Sequence, residues 1–267
     1  EAARRRKQRT PAHARRPAAA VRSKADREAS ILASLDMTQA IPAKTFDRLL
    51  ERWQGRLNRL QRDVQRRAIS TILVFEGWDS AGKGGAIRRV AGALDLRACR
   101  VIPIAAPSDE ERARHYLWRF WRHIGRAGRV TIYDRSWYGR VLVERVERLA
   151  SEAEWGRAYA EINEFEDQLT DHGIVLLKFW LHITKEEQLK RFQERAKSPY
   201  KSWKLGDEDW RNREKWDEYE RAVDEMVART STRHAPWTLV ESNDKNFARI
   251  KVLHTVSEAL ERAVERA

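Results

Sequence analysis

Apolar residues recur along this chain with two different periods, and the switches between them predict its elements. A helical pattern begins at Ser30, and Lys44 to Arg67 then places Phe46, Leu49, Leu50, Trp53, Leu57 and Leu60 at helical spacing. That helix is expected to lie against the main domain or against a second subunit. Thr71 to Glu76 is a short apolar run with β-branched content, followed at once by a glycine-rich turn and a helix from about Lys83. Arg100 to Ala105 reads as a second strand, with a helix carrying Tyr116, Leu117, Phe120 and Trp121 after it. Val130 to Tyr133 is a third strand ending in Asp134, and helices from Tyr138 and Glu152 lead to a fourth, Ile174 to Ile183. A basic stretch, Lys185 to Lys215, precedes a helix running to about Thr230. Trp237 to Val240 is the last strand and Phe247 to Val264 the closing helix. Strands alternating with helices call for a parallel sheet, so the predicted class is α/β: three layers, α/β/α, around a central five-stranded parallel sheet. No internal repeat is visible.

The length of 267 residues suits one such domain with attached helices. Residues 1–28 are rich in Arg, Lys and Ala, contain Pro11 and Pro17, and lack sustained apolar periodicity. They predict a basic flexible linker or leader ahead of a domain at 29–267, with a lid over about 185–215. The chain opens Glu1-Ala2-Ala3-Arg4 without an initiator Met or the apolar core of a secretory signal, which predicts one unit of a longer gene product. No run approaches the roughly 18 apolar residues of a membrane span. Ile174 to Ile183 comes nearest and is interrupted by Lys178 and His182, so no membrane partner is expected. Cys99 is the single cysteine, which excludes an intramolecular disulfide and predicts a reducing, cytoplasmic setting. Lys and Arg number 53 against 40 Asp and Glu, a formal charge of +13. Such a surface attracts polyanions without choosing among nucleic acid, anionic lipid and polyphosphate.

Gly77-Trp78-Asp79-Ser80-Ala81-Gly82-Lys83 has the G-x-x-x-x-G-K form of a P-loop and lies between an apolar strand and a helix, as that loop requires. Backbone N–H groups around Gly77, Ala81, Gly82 and Gly84 would cradle phosphate oxygens at the positive end of the helix, and Lys83 would reach the transferring phosphate. Gly84 stands where Ser or Thr would offer a metal a hydroxyl, so the oxygens for Mg²⁺ must come from Asp79 and Asp134. A plain glycine-rich turn with a solvated Lys83 is the bland reading of the same residues.

Asp134 follows an apolar strand directly and should emerge beside the loop at the sheet's carboxyl edge, where α/β proteins bind ligands. Arg135 and Arg140 follow it, each with a planar guanidinium suited to the equatorial oxygens of a phosphoryl group in transfer. The alternative has Asp134 capping a helix and pairing with Arg135 at the surface. Farther on, Lys190, Arg191, Arg195, Lys197, Lys201 and Lys204 crowd one segment, with Arg191 and Arg195 four apart on one helix face and breaks at Pro199 and Gly206. A polyanion under a closing lid would relieve their repulsion. Salt bridges to Glu186, Glu187 and Glu194 on a solvated face would do so too. Trp203, Trp210 and Trp216 read as lid packing before base stacking.

Three stretches together resemble the polyphosphate kinase 2 family: Phe75 through Gly85, Asp134-Arg135-Ser136-Trp137-Tyr138-Gly139-Arg140-Val141, and Arg191-Phe192-Gln193-Glu194-Arg195 through Lys201-Ser202-Trp203-Lys204. The resemblance extends from about residue 40 to the end. It implies a P-loop kinase fold similar to thymidylate kinase with a helical lid, and Mg²⁺ held by Asp79 and Asp134. It also implies phosphate stabilisation by Lys83 and Arg135, and polyphosphate in a basic channel touched by Arg191, Arg195, Lys201 and Lys204. The chain is most similar to the carboxyl-terminal half of the fused two-unit members, which convert AMP to ADP. Trp78 departs from the smaller or basic residue of many members, which bears on nucleotide preference.

The expected activity is polyphosphate-dependent phosphorylation of AMP to ADP with Mg²⁺. Inorganic polyphosphate and a nucleotide, AMP or ADP, are the expected partners, in a homo-oligomer or as one unit of a longer two-unit chain. A polyphosphate-dependent nucleoside diphosphate kinase, making ATP from ADP or GTP from GDP, is the nearest rival, followed by an ATP-dependent kinase for a nucleoside or small metabolite. A basic nucleic-acid-binding module ranks below these, because charge does not account for a P-loop followed by a strand-end Asp.

Overall fold

A computed structural model describes residues 30–200 and 206–267. In chain order the main elements are α1 (Ala43–Arg66), β1 (Thr71–Gly77), α2 (Lys83–Ala91), β2 (Cys99–Pro103), β3 (Val130–Asp134), α3 (Glu152–Asp171), β4 (Val175–His182), α4 (Lys185–Ala196), α5 (Asp207–Glu214), α6 (Trp216–Thr230), β5 (Trp237–Glu241) and α7 (Lys245–Arg266). The five strands are all parallel in the order β2-β3-β1-β4-β5. The apolar run of β1 places it at the centre, where both neighbours bury it. Leu73, Val74 and Phe75 are fully covered. Register sets Phe75 opposite both Asp134 of β3 and Phe179 of β4, which brings the ends of three strands to one edge.

Helices layer the sheet in two groups. In one, α2 packs on β1 and β3 and α7 on β4 and β5, with α1 outside against α7. The stripe Phe46, Trp53, Leu57, Leu60 and Val64 faces inward, with Trp53 edge-on to His254 at 4.5 Å and Arg56 paired with Glu261. The helix around Trp53 is therefore satisfied within its own chain. In the other group α3 packs on β4 and against α6.

Two expected elements differ from the structure. Where a helix carrying Tyr116, Leu117, Phe120 and Trp121 was expected, the chain forms two single turns, Asp109–Arg112 and Trp118–Trp121, with a bend at Arg114 between them. Its aromatic rings are drawn to different neighbours: Phe120 edge-on to Tyr133 and Trp137, Trp121 to Phe165. Tyr133 Oη donates to the Phe120 carbonyl at 3.0 Å, an oxygen that also accepts the His123 N–H at 3.0 Å. The helix expected from Tyr138 is a 3₁₀ turn at Trp137–Arg140 and a further turn at Val143–Val146. The segment expected to form a lid holds α4 and α5, with Gly206 directly before α5. No helix among the described residues is long and apolar enough to cross a membrane. The leader expected at 1–28 lies outside the described residues.

Candidate active site

The turn after β1 is shaped by two glycines. A Cβ on Gly77 would stand 2.5 Å from the Leu181 carbonyl oxygen, so only glycine lets β1 pass this close to β4. Gly82, at φ +105°, reverses the chain into α2. The Ala81 N–H is committed to the Trp78 carbonyl at 3.0 Å, so the turn holds its own shape. Among the described residues the amides of Asp79, Ser80, Gly82, Lys83 and Gly84 make no backbone hydrogen bond. They form a set of donors at the positive end of a nine-residue helix, which is the chemistry of an anion site. Lys83 Nζ folds back over this turn, donating to the carbonyls of Gly77 at 2.7 Å and Trp78 at 3.2 Å.

Around Lys83 the strand ends gather charge. Glu76 and Asp79 from β1 and its turn, and Asp134 and Arg135 from β3, all act on the Lys83 ammonium. Burial pulls it below its ordinary value, and Asp79 is the strongest of the carboxylates opposing that. Asp79 Oδ1 accepts from Arg135 Nη2 at 3.3 Å, and its Oδ2 from Asn212 Nδ2 of α5 at 2.9 Å. Gln188 of α4 holds the Asp79 carbonyl at 3.2 Å. Glu76 is buried and accepts from Ser136 Oγ at 2.8 Å. Burial pushes its carboxyl up from the ordinary range, against that hydrogen bond and the attraction of Lys83 and Arg135.

Two cavities of opposite character meet at this turn, and the turn is the wall between them. One, of about 260 Å³, is bounded by Ser80, Ala81 and Gly82 and carries Arg191, Arg195, Lys245 and Arg249. Its cations crowd one another: burial and then Arg191 pull the Lys245 ammonium down, and burial and then Arg89 do the same to Arg249. The other, of about 70 Å³, is bounded by Gly77, Trp78 and Asp79 and lined by Leu142, Val143, Trp180 and Tyr219. Trp78 stacks on Trp216 of α6 with 3.8 Å between ring centroids, and its indole N–H donates to His182 Nδ1 at 3.1 Å.

The structure brings Asp79, Lys83, Asp134 and Arg135 together, with Gly77, Ala81, Gly82 and Gly84 in the turn beside them. Arg140 goes elsewhere: it pairs with Glu144 at 3.2 Å and lies over the Tyr116 ring, 4.6 Å from its centroid. Arg191 is 2% exposed and gives four of its five N–H groups to protein: Glu187 at 2.7 Å, Ser80 O at 2.9 Å, Ser242 O at 2.7 Å and Asn243 O at 2.9 Å. It braces the turn against the end of β5 where a mobile lid contact was expected. Arg195 faces the basic cavity, while Lys201 and Lys204 lie outside the described residues. Sequence reasoning missed Glu76, Asn212, Lys245 and Arg249. The last two sit four apart in the first turns of the helix after β5, at the sheet edge where ligands bind, and that placement is a usable signal.

Among the described residues, no three His, Cys, Asp or Glu side chains group closely enough to hold an ion alone. Asp79 and Asp134 are nevertheless hard oxygen donors flanking an anion cradle. That suits a cation such as Mg²⁺, which completes its shell with phosphate and water.

Residues 41–267 match the polyphosphate kinase 2 family model. The chain is 57% identical over 236 residues to a polyphosphate:AMP phosphotransferase of Pseudomonas aeruginosa, covering 88% of this chain and 48% of that protein. To the protein of the same name in Pseudomonas syringae pv. tomato it is 56% identical over 239 residues, 90% of this chain and 48% of the relative. It thus spans about half the length of these curated relatives. The crystal structure of polyphosphate kinase 2 from Arthrobacter aurescens TC1 superposes with a TM-score of 0.83 at 36% identity, over 86% of this chain and 85% of that one. With the family model matched over most of its length and the fold superposed at that score, this chain belongs to the polyphosphate kinase 2 family.

Proposed function

We propose that this chain transfers the terminal phosphoryl group of inorganic polyphosphate to a nucleotide, with AMP as acceptor and ADP as product. The observation that carries the reading is the turn shared by two cavities, one lined with cations and one with aromatic rings. A polyanion suits the first and a nucleoside the second, and both border the turn that Lys83 folds over, one at Ser80, Ala81 and Gly82 and the other at Gly77, Trp78 and Asp79. The names of the relatives support AMP as the acceptor.

The transfer is an in-line displacement. An ionised phosphate oxygen of AMP attacks the terminal phosphorus, the new P–O bond forms as the anhydride P–O bond breaks, and polyphosphate leaves one unit shorter. The acceptor oxygen carries no proton near neutral pH, so the protein positions and neutralises, and no base is needed. The amides of Gly82, Lys83 and Gly84 hold the donor's terminal oxygens. Lys83 and Arg135 neutralise the charge that spreads over the moving phosphoryl group. Arg195, Lys245 and Arg249 hold the chain behind it. Asp79 and Asp134 would hold Mg²⁺, which when bound supplies further neutralisation of phosphate charge. A cytoplasmic setting suits the lone thiol of Cys99.

Incubating the protein with polyphosphate, Mg²⁺ and each of AMP, ADP, GMP and GDP, then separating the products, tests this. ADP from AMP is expected as the fastest reaction. Faster turnover of a diphosphate would select the nucleoside diphosphate kinase reading, and, in parallel incubations with ATP in place of polyphosphate, product formed only with ATP would overturn polyphosphate as donor.

A further inference from the structure

A buried ion pair joins Lys178 of β4 to Glu166 of α3. Both side chains are 0% exposed, with 2.6 Å between Nζ and Oε2, and neither lines the two cavities at the turn. Lys178 Nζ also donates to the Thr230 carbonyl at 2.6 Å and to Tyr138 Oη at 2.8 Å, which uses its three protons. Tyr138 Oη donates in turn to Glu166 Oε1 at 2.7 Å, and the same oxygen accepts from Trp137 Nε1 at 3.0 Å. Taking such ions out of water is costly, and apolar residues of similar volume would fill this core without that cost.

The partners indicate what the pair does. Apart from the Thr230 carbonyl and the Trp237 ring, whose centroid lies 5.2 Å from Lys178 Nζ, the groups held by the two ions belong to Trp137 and Tyr138, directly beyond Arg135 and Ser136. Arg135 has a φ of +65°, a left-handed backbone that strains a non-glycine residue and persists only where its surroundings over-determine it. The surroundings here do so in succession. The Arg135 N–H donates to Phe75 O at 3.0 Å, Ser136 Oγ to Glu76 at 2.8 Å, Trp137 to Glu166, and Tyr138 to Glu166 while accepting from Lys178.

We propose that Glu166 and Lys178 are positioning residues for phosphoryl transfer: through Trp137 and Tyr138 they hold Arg135 in its left-handed conformation, with its guanidinium beside Asp79. The inference rests on the functional reading above. It gives the buried pair a role in the rate of transfer, separate from substrate binding.

Tyr138→Phe is the cleanest test, because it removes only the hydroxyl shared by the two ions and leaves the ring against Trp237, 4.6 Å between centroids. Steady-state kinetics with polyphosphate and AMP would be measured on protein whose folded fraction is known from thermal melting. The expected result is a kcat lower by about 10- to 100-fold, the scale of a misplaced catalytic group, with both KM values little changed. In an Arg135→Ala background the same substitution should leave kcat unaltered, since the group it positions is gone. An unchanged kcat per folded molecule, or equal fold losses in both backgrounds, would overturn the proposal. Trp137→Phe, which deletes one N–H donor to Glu166, carries the same test should the first variant not fold. A wild type that makes no ADP from polyphosphate would defeat the functional reading and this inference with it. An active wild type beside an unimpaired Tyr138→Phe would defeat the inference alone.

Discussion

Asn212 Nδ2 donates to Asp79 Oδ2 at 2.9 Å, so a helix 133 positions farther along the chain already holds the carboxylate of the glycine turn. Tyr219 Oη steadies the amide by donating to its Oδ1 at 3.2 Å. A cation arriving at Asp79 must compete with that N–H. Asn212→Ala is therefore expected to lower the Mg²⁺ concentration for half-maximal activity, by about 2- to 10-fold if the hydrogen bond has its usual net strength. Titrating Mg²⁺ at saturating substrates measures this. An unchanged or higher requirement would show that the contact does not restrain Asp79.

Lys83 has no substitute among its neighbours, because the carboxylates around it are of opposite charge and Arg135 is already engaged with Asp79. Lys83→Ala should reduce kcat by about 10²–10³-fold or more, the scale of losing one preorganised donor at developing charge. The melting temperature should remain close to wild type. A variant that folds and keeps its rate would remove Lys83 from the chemistry.

Arg191 and Arg195 lie one helical turn apart and should behave differently. Arg191→Ala strands the carbonyls of Ser80, Ser242 and Asn243, each costing about 1–3 kcal/mol if left unpaired, so its first effect is a lower melting temperature. Arg195→Ala is expected to leave melting unchanged and to raise the KM for polyphosphate. Melting curves and kinetics on the pair would separate brace from contact, and similar melting curves would contradict the distinction.

His182 supplies a pH signature. Its Nδ1 accepts the Trp78 indole N–H, and burial lowers the imidazole from 6.5 to about 4. Below pH 6.5 the unfolded chain takes up a proton that the folded chain refuses. Stability from this residue therefore falls as pH drops from about 6.5 toward about 4 and levels off below. Between pH 7 and pH 5 the loss should be about 2 kcal/mol by denaturant unfolding. In His182→Gln, which can still accept the indole N–H, that part of the pH dependence should vanish. An identical slope in both proteins would contradict it.

Much of this was legible in the residues. The apolar run of β1, the glycine turn and the strand ending in Asp134 announced a parallel sheet with charged groups at one edge, because strand register leaves little freedom in where those ends fall. The bend at Arg114 was not legible, since helical spacing cannot reveal that Phe120 and Trp121 will be claimed by different partners. Arg191 misled for a related reason: two arginines four apart look alike in sequence, and only packing against the end of β5 makes one a brace. Lys178 and His182 first read as interruptions in an apolar strand. Their burial, the ion pair and the Trp78 contact depend on how α3, α6 and the glycine turn pack against β4, which the period of an apolar strand does not reveal.

The division of labour at the turn is tested most directly by the KM values of the Lys245→Ala, Arg249→Ala double variant for each substrate. If the cavity behind Ser80, Ala81 and Gly82 holds the phosphate chain, KM for polyphosphate should rise about 10-fold or more, the scale of two charge-assisted contacts, while KM for AMP stays near wild type. A rise confined to AMP, or no change for polyphosphate, would contradict the assignment of donor and acceptor to the two sides of the turn.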